Sequence, residues 1–164
     1  MTTIAIDLKK RIVAADSKCS WGEKSYSIHK IFQLPNGTVI AFAGYTTAAM
    51  MFVRWYSEGA DPNRTPKFLM KEDDPQAMQD FEAVVLGPSR DSVWDQTLVP
   101  NEIKDDRFYT IGTGGHYAMA ALHMGLSPFD AVKLAIKLDS NSGGRVKTAH
   151  APQRSRRRKA SQQL

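Results

Sequence analysis

Short runs of β-branched and apolar residues, broken by polar turns, fill the first third of the chain. Thr3 to Asp7 and Arg11 to Asp16 predict two strands, joined through Leu8-Lys9-Lys10 in a hairpin-like opening. Residues 17–25 are polar, include Gly22 and predict a loop. Ile28 to Leu34 and Thr38 to Ala43 predict two further strands, with the turn signal Pro35-Asn36-Gly37 between them. After Gly44 the period changes. Ala49, Met50, Phe52, Val53 and Tyr56 recur at mainly helical spacing up to Gly59, and Thr46 or Thr47 can cap that helix.

Residues 60–79 hold three prolines and little periodicity, which predicts a surface excursion. Phe81 to Gly87, Ser92 to Asp95 and Phe108 to Ile111 predict later strands of the sheet. Gly112-Thr113-Gly114-Gly115 breaks the last of these and opens a helix carrying Tyr117, Ala118, Ala121, Leu122 and Met124, which Gly125 ends. Ser127-Pro128 starts another helix as capping residue and first-turn proline, with Phe129, Val132, Ala135 and Ile136 along one face. Strands followed by two adjacent helices predict a layered α+β domain. There is no internal repeat.

At 164 residues, with 42% hydrophobic and 24% charged side chains, one globular domain with a substantial core is expected. No apolar run approaches the length of a bilayer span, and the start of the chain lacks the pattern of a secretory signal. Cys19 is alone, so no internal disulfide forms and a reducing compartment is expected. These features predict a soluble, cytoplasmic protein without membrane contact.

The net charge of +5 is unevenly placed. Seven of the 22 basic residues lie in 145–164 beside no acidic residue, leaving 15 basic against 17 acidic side chains in the body. A mildly acidic body argues against a whole-domain nucleic-acid surface and leaves only the tail for such a partner. We expect residues 1–148 to form the domain and residues 149–164 a basic, disordered tail.

The start of the chain carries the first candidate chemistry. Removal of Met1 makes Thr2 the terminus, where one residue holds a hydroxyl and an α-amine that titrates near pH ~8. That amine can take the hydroxyl proton and make the oxygen a nucleophile. Asp16 ends one predicted strand and Lys30 begins another, a spacing that can place both beside the first strand. There a lysine ammonium lowers the pKa of the amine and Asp16 holds the lysine, although the same two residues also fit a surface ion pair. The Gly112–Gly115 loop lacks the P-loop and dinucleotide signatures and fits a tight strand-to-helix turn that presents the Thr113 hydroxyl. Asp139 and Ser142, before Gly143-Gly144, fit a helix C-cap and turn. The four histidines have no metal-ligand pattern, and no metal or cofactor is expected.

Taken in order, Thr-Thr-Ile, Ala-Ala-Asp-Ser, Lys-Ile, Ala-Phe-Ala-Gly, Ile-Gly-Thr-Gly-Gly-His-Tyr-Ala and Asp-x-x-Ser-Gly-Gly make the chain resemble the proteasome β-subunit and HslV-type threonine peptidases. The resemblance covers residues 2 to about 148, and the chain is short for the family, mainly between 60 and 107. It implies an α+β Ntn-hydrolase fold, a four-layer αββα sandwich with two stacked, mainly antiparallel β-sheets. It implies Thr2 as nucleophile and general-base amine, Asp16 and Lys30 as its acidic and basic partners, and Asp139 and Ser142 as support for the amine. Thr113 stands where the family usually has serine, and Ala41 stands at the position assigned to the oxyanion-binding amide, with Val39 and Ala43 flanking it as a small apolar pocket.

The function implied is peptide-bond hydrolysis on a peptide or unfolded protein substrate. The implied assembly is a homo-oligomer, such as a ring, fed by an ATP-dependent unfoldase. Two rivals remain: an Ntn amidase acting on a small amide, which shares the same site, and an inactive scaffold or binding protein that keeps Met1.

Overall fold

A computed structural model describes residues 2–104 and 106–154. Strands β1 (Ile4–Asp7) and β2 (Ile12–Ala15) form the predicted hairpin, registered Ile4 to Ala15, with Arg11 at φ 62° in the turn. A polar hairpin of β3 (Lys18–Trp21) and β4 (Lys24–Ser27) follows. Residues 17–25 are therefore not the loop that their polarity predicts. β4 is exposed along its length, so no apolar alternation betrays it, and Gly22 at φ 55° makes the turn.

Strands β5 (Ile31–Gln33) and β6 (Val39–Gly44) are joined at Pro35-Asn36-Gly37, where Asn36 Oδ1 accepts from the Thr38 amide and Gly37 has φ 85°. Helix α1 (Thr46–Ser57) comes next. Its N-cap is Tyr45 with no side-chain cap bond, rather than Thr46 or Thr47. The excursion over 60–79 holds a 3-10 turn at Pro62–Arg64 and an isolated bridge between Met70 and Met78. Then come β7 (Phe81–Leu86), β8 (Asp91–Asp95), the unpredicted two-residue β9 (Asn101–Glu102) and β10 (Phe108–Ile111).

Helix α2 (Gly115–His123) leads to α3 (Pro128–Leu138), where the Ser127 hydroxyl accepts from the Asp130 amide as the capping pattern predicts. α3 buries Ala131, Val132 and Ala135, whereas Phe129 is 41% exposed and lies off the packed face.

The last strand, β11 (Lys147–His150), pairs with β2. A boundary at 148 thus cuts a strand in half. Beyond it Ala151 is buried and Arg154 reaches Asp91, so packing holds the chain through 154. The rest of the predicted tail, 155–164, lies outside the described residues.

Besides the two-stranded β3–β4 sheet, the described residues form two larger antiparallel sheets, ordered β10-β1-β2-β11 and β5-β6-β7-β8-β9. Alternation along the strands divides the apolar side chains among three cores. Ile4, Ile6, Val13 and Ala15 meet Val39, Ala41, Ala43, Val84 and Leu86 between the sheets. Ile40, Phe42, Ala83 and Val85 turn the other way, onto Ala48, Ala49, Phe52 and Trp55 of α1. Ala5 and Ala14 pack on Ala118, Leu122, Val132 and Ala135 of α2 and α3, their small side chains allowing close approach. β1 is buried on both faces, and each large apolar side chain it hides contributes roughly 1.5–3 kcal/mol.

Candidate active site

Thr2 precedes β1 and is 6% exposed. The turn after β10 presses against it. A Cβ on Gly112 would collide with the Thr2 carbonyl and one on Gly114 with the Thr3 hydroxyl, so glycine is required at both positions. The Gly114 amide lies 3.5 Å from the Thr2 carbonyl oxygen.

Asp16, one residue beyond β2, gathers the donors around this end of the sheet. Its Oδ1 accepts from the Thr3 amide at 2.9 Å and from Lys30 Nζ at 2.8 Å, and its Oδ2 accepts from the Gly143 amide at 2.9 Å. The Asp16 amide in turn donates to the Thr3 carbonyl, which holds the hairpin in register. Lys30 also donates to the Lys18 carbonyl at 2.6 Å. Both side chains of the Asp16–Lys30 pair are almost fully buried, so it is not a surface ion pair. Burial pushes the Lys30 ammonium below its ordinary pKa, against the opposing pull of Asp16.

The second group joins β10, α3 and the chain start. Asp139 Oδ2 accepts from Thr113 Oγ1 at 2.7 Å and from Ser142 Oγ at 2.6 Å, and the Asn141 amide donates to Oδ1. With its proton committed to Asp139, Ser142 Oγ accepts from the Thr3 hydroxyl at 2.5 Å. Burial pushes the Asp139 carboxyl up, but the bonds from Ser142, Thr113 and Asn141 outweigh it and hold the carboxyl below its usual range. Thr113, Asp139 and Ser142 are thus brought together, and their bond to the chain start is made at Thr3. Neither Thr3 nor Gly143 was legible as a site residue. Thr3 lies inside a strand-like run, and Gly143 contributes only a backbone N–H.

Ala41 does not belong to this site. The Tyr45 amide donates to the Asp80 carbonyl across to β7, while the Phe42 amide donates to the Lys30 carbonyl on the β5 side. In an antiparallel ladder these directions alternate, so the Ala41 amide faces Val84 of β7 and is committed to the sheet. Its side chain sits in the inter-sheet core. Val39 is buried in the same core, and only Ala43 of the predicted flanking pair lines the cavity at Thr2.

The same alternation turns the Gly44 amide toward the β5 side, beyond the pairing that ends at Ile31 with Ala41. Gly44 lines the cavity, has φ 101°, and would bring a Cβ to 2.7 Å from the Asp80 carbonyl oxygen. It was legible only as the residue that ends a strand. The cavity is about 720 Å³, and Thr2, Gly112, Thr113, Tyr45, Thr46, Glu72, Asp73, Gln79 and Asp80 are among the residues that line it. Cys19 also lines it, with its Sγ 3.7 Å from Thr46 Oγ1.

A buried nucleophile candidate, a desolvated lysine–carboxylate pair and a backbone amide beside one cavity are the elements of acyl transfer at a threonine. Solved structures share the architecture. Eukaryotic HslV from Trypanosoma brucei matches with a TM-score of 0.65 at 21% identity, over 90% of this chain and 97% of that one. BPH from Thiobacillus denitrificans matches at 0.61 and 17% identity over 92% and 98%. The same protein in complex with epoxomicin matches at 0.58 and 17% over 92% and 100%. No protein-family model and no curated protein matches the chain. The likeness shows that this chain has the HslV-type fold.

Proposed function

We propose that this chain is an N-terminal threonine peptidase that cleaves peptide bonds through an acyl-ester on Thr2. The observation that carries the proposal is the placement of buried Thr2 at a cavity, with Asp16 binding both Lys30 and the adjoining Thr3 amide. The three cores support the four-layer αββα arrangement of an Ntn hydrolase, and the solved structures of HslV and of epoxomicin-bound BPH support the reaction class.

Once Met1 is removed, the Thr2 amine takes the proton from Thr2 Oγ, directly or through a water, and the oxygen attacks the substrate carbonyl carbon. The Gly44 amide takes the place assigned to Ala41 and donates to the developing oxyanion. As the C–N bond breaks, the amine returns the proton to the leaving group. A water, deprotonated by the same amine, then attacks the ester; the acid is released as the Thr2 Oγ–acyl bond breaks, and the amine returns the proton to Thr2 Oγ. The Lys30 ammonium disfavours a second positive charge nearby, which keeps the Thr2 amine neutral and basic, and Asp16 positions it. Thr113, Asp139 and Ser142 hold the glycine turn and Thr3 against the nucleophile.

Two measurements test this. Intact mass of the purified protein is expected to lack Met1. Thr2→Ala is expected to lower kcat/KM on an unstructured peptide by at least about 10⁴-fold; undiminished hydrolysis by that variant rules the mechanism out.

A further inference from the structure

The cavity at Thr2 is one-sided in charge. Glu72 and Asp73, from the excursion, and Asp80, just before β7, line it. Among the described residues that line it, none is a lysine, arginine or histidine. Lys71 donates to Asp80 Oδ2 at 3.1 Å and lies over the Tyr45 ring, so it offsets one of the three carboxylates. The remaining excess is negative.

The rest of the wall suits a cation as well. Ser20, Tyr26, Thr46 and Thr47 bring hydroxyl oxygens that can accept from an ammonium or guanidinium. The Tyr45 ring adds a π face. Gln79, in the same wall, has its Oε1 buried without a hydrogen-bond partner among the described residues, an acceptor that a rotation toward the cavity would offer to a donor-rich side chain. A partly enclosed cleft with carboxylates on one wall focuses their field inward, whereas the same residues on an open loop would act mainly on solvent.

We propose that this cavity takes the side chain of a lysine or arginine next to the bond being cut, and that Glu72, Asp73 and Asp80 set that choice. The reaction rests on the threonine peptidase reading; the choice of side chain rests on the cavity alone.

The test uses three peptide amides that differ only in the residue on the acyl side of the scissile bond: arginine, norleucine or glutamate. The expected order of kcat/KM is arginine, then norleucine, then glutamate, with arginine ahead of norleucine by about tenfold and the lead shrinking as salt rises. The E72Q/D73N/D80N variant is expected to lower the arginine-to-norleucine ratio by about tenfold, with thermal melting to check its fold. Glu72→Lys, a single exposed change that leaves the Lys71–Asp80 pair in place, is expected to move the ratio in the same direction.

Calorimetric binding of Nα-acetyl-arginine amide and Nα-acetyl-norleucine amide reads the same choice without turnover. If no peptide is cleaved, the peptidase reading falls and the calorimetric preference alone decides. Equal or reversed preference in either assay, or an unchanged ratio in both variants, overturns the inference.

Discussion

Asp16 shows how one buried carboxylate can tie three segments of the chain together. It accepts from two backbone amides and from Lys30, all in the interior. Asp16→Asn keeps the shape but leaves the buried ammonium without its counter-charge and sets an NH₂ among donors. We expect it to cost about 3–5 kcal/mol in urea unfolding and turnover to fall by about 10²-fold or more. Asp139 gives a prediction in pH. Its carboxyl is held below the ordinary value of 3.8, so its contribution to stability is present above that value and is lost as pH falls through the lower folded one. The difference in unfolding free energy between the parent and Asp139→Asn is therefore expected to be larger at pH 7 than at pH 3. Equal differences at the two pH values would mean that the Ser142 and Thr113 bonds do not favour the ionised form.

At the scale of elements, β6 decides which amide is free for the proposed reaction. Its side chains alternate between two cores and its amides alternate between two neighbouring strands. Ala41 and Gly44 differ by an odd number of positions, so they face opposite neighbours. Ala41→Gly is expected to cost roughly 0.5–1 kcal/mol in stability with kcat little changed. Gly44→Ala meets the Asp80 carbonyl from a positive φ and is expected to lower both melting temperature and kcat. If Ala41→Gly abolished turnover in a folded protein, the assignment of the oxyanion donor to Gly44 would be wrong. The polar hairpin β3–β4 belongs to the same scale. Its exposed residues carry no period, yet Ser20 and Tyr26 reach the cavity wall.

At the scale of the molecule, Asp91 fastens the end of the described chain to its start. Its Oδ2 receives Arg11 at 2.5 Å and Arg154 at 2.7 Å, and the Arg11 guanidinium also reaches the Gly87 and Pro152 carbonyls. Asp91→Ala leaves the buried Arg11 unpaired, and a loss of about 3–5 kcal/mol in chemical unfolding is expected. Met50 on α1 and Phe129 and Leu138 on α3 are exposed apolar side chains, and the homo-oligomer that the resemblance implies is open to a direct test. Light scattering on the purified protein is expected to report a mass above that of one 18.3 kDa chain. A monomer across micromolar concentrations would remove that expectation.

The amino-acid sequence by itself determined strands β1, β2, β5 to β8 and β10 and the helices α1 to α3, because apolar periods of two and 3.6, glycine turns and the Ser127-Pro128 cap are local signals; the polar β3–β4 hairpin, the two-residue β9 and β11 carry no such signal. Thr2, Asp16, Lys30, Thr113, Asp139 and Ser142 stood out only through their order along the chain, which resembles the proteasome β-subunit and HslV-type pattern, since each alone also fits an ordinary terminus, turn, cap or ion pair. Tertiary structure alone decided that Ser142 meets Thr3, that Gly143 supplies an amide to Asp16, and that β11 carries the sheet past 148. It also decided that Glu72, Asp73 and Asp80 line the cavity at Thr2, although residues 60–79 look featureless as a string. Those outcomes depend on the phase of backbone hydrogen bonds and on contacts between segments more than a hundred residues apart, such as the 139 positions separating Thr3 from Ser142. Local patterning encodes neither; strand pairing and the packing of α3 on the β10-β1-β2-β11 sheet do.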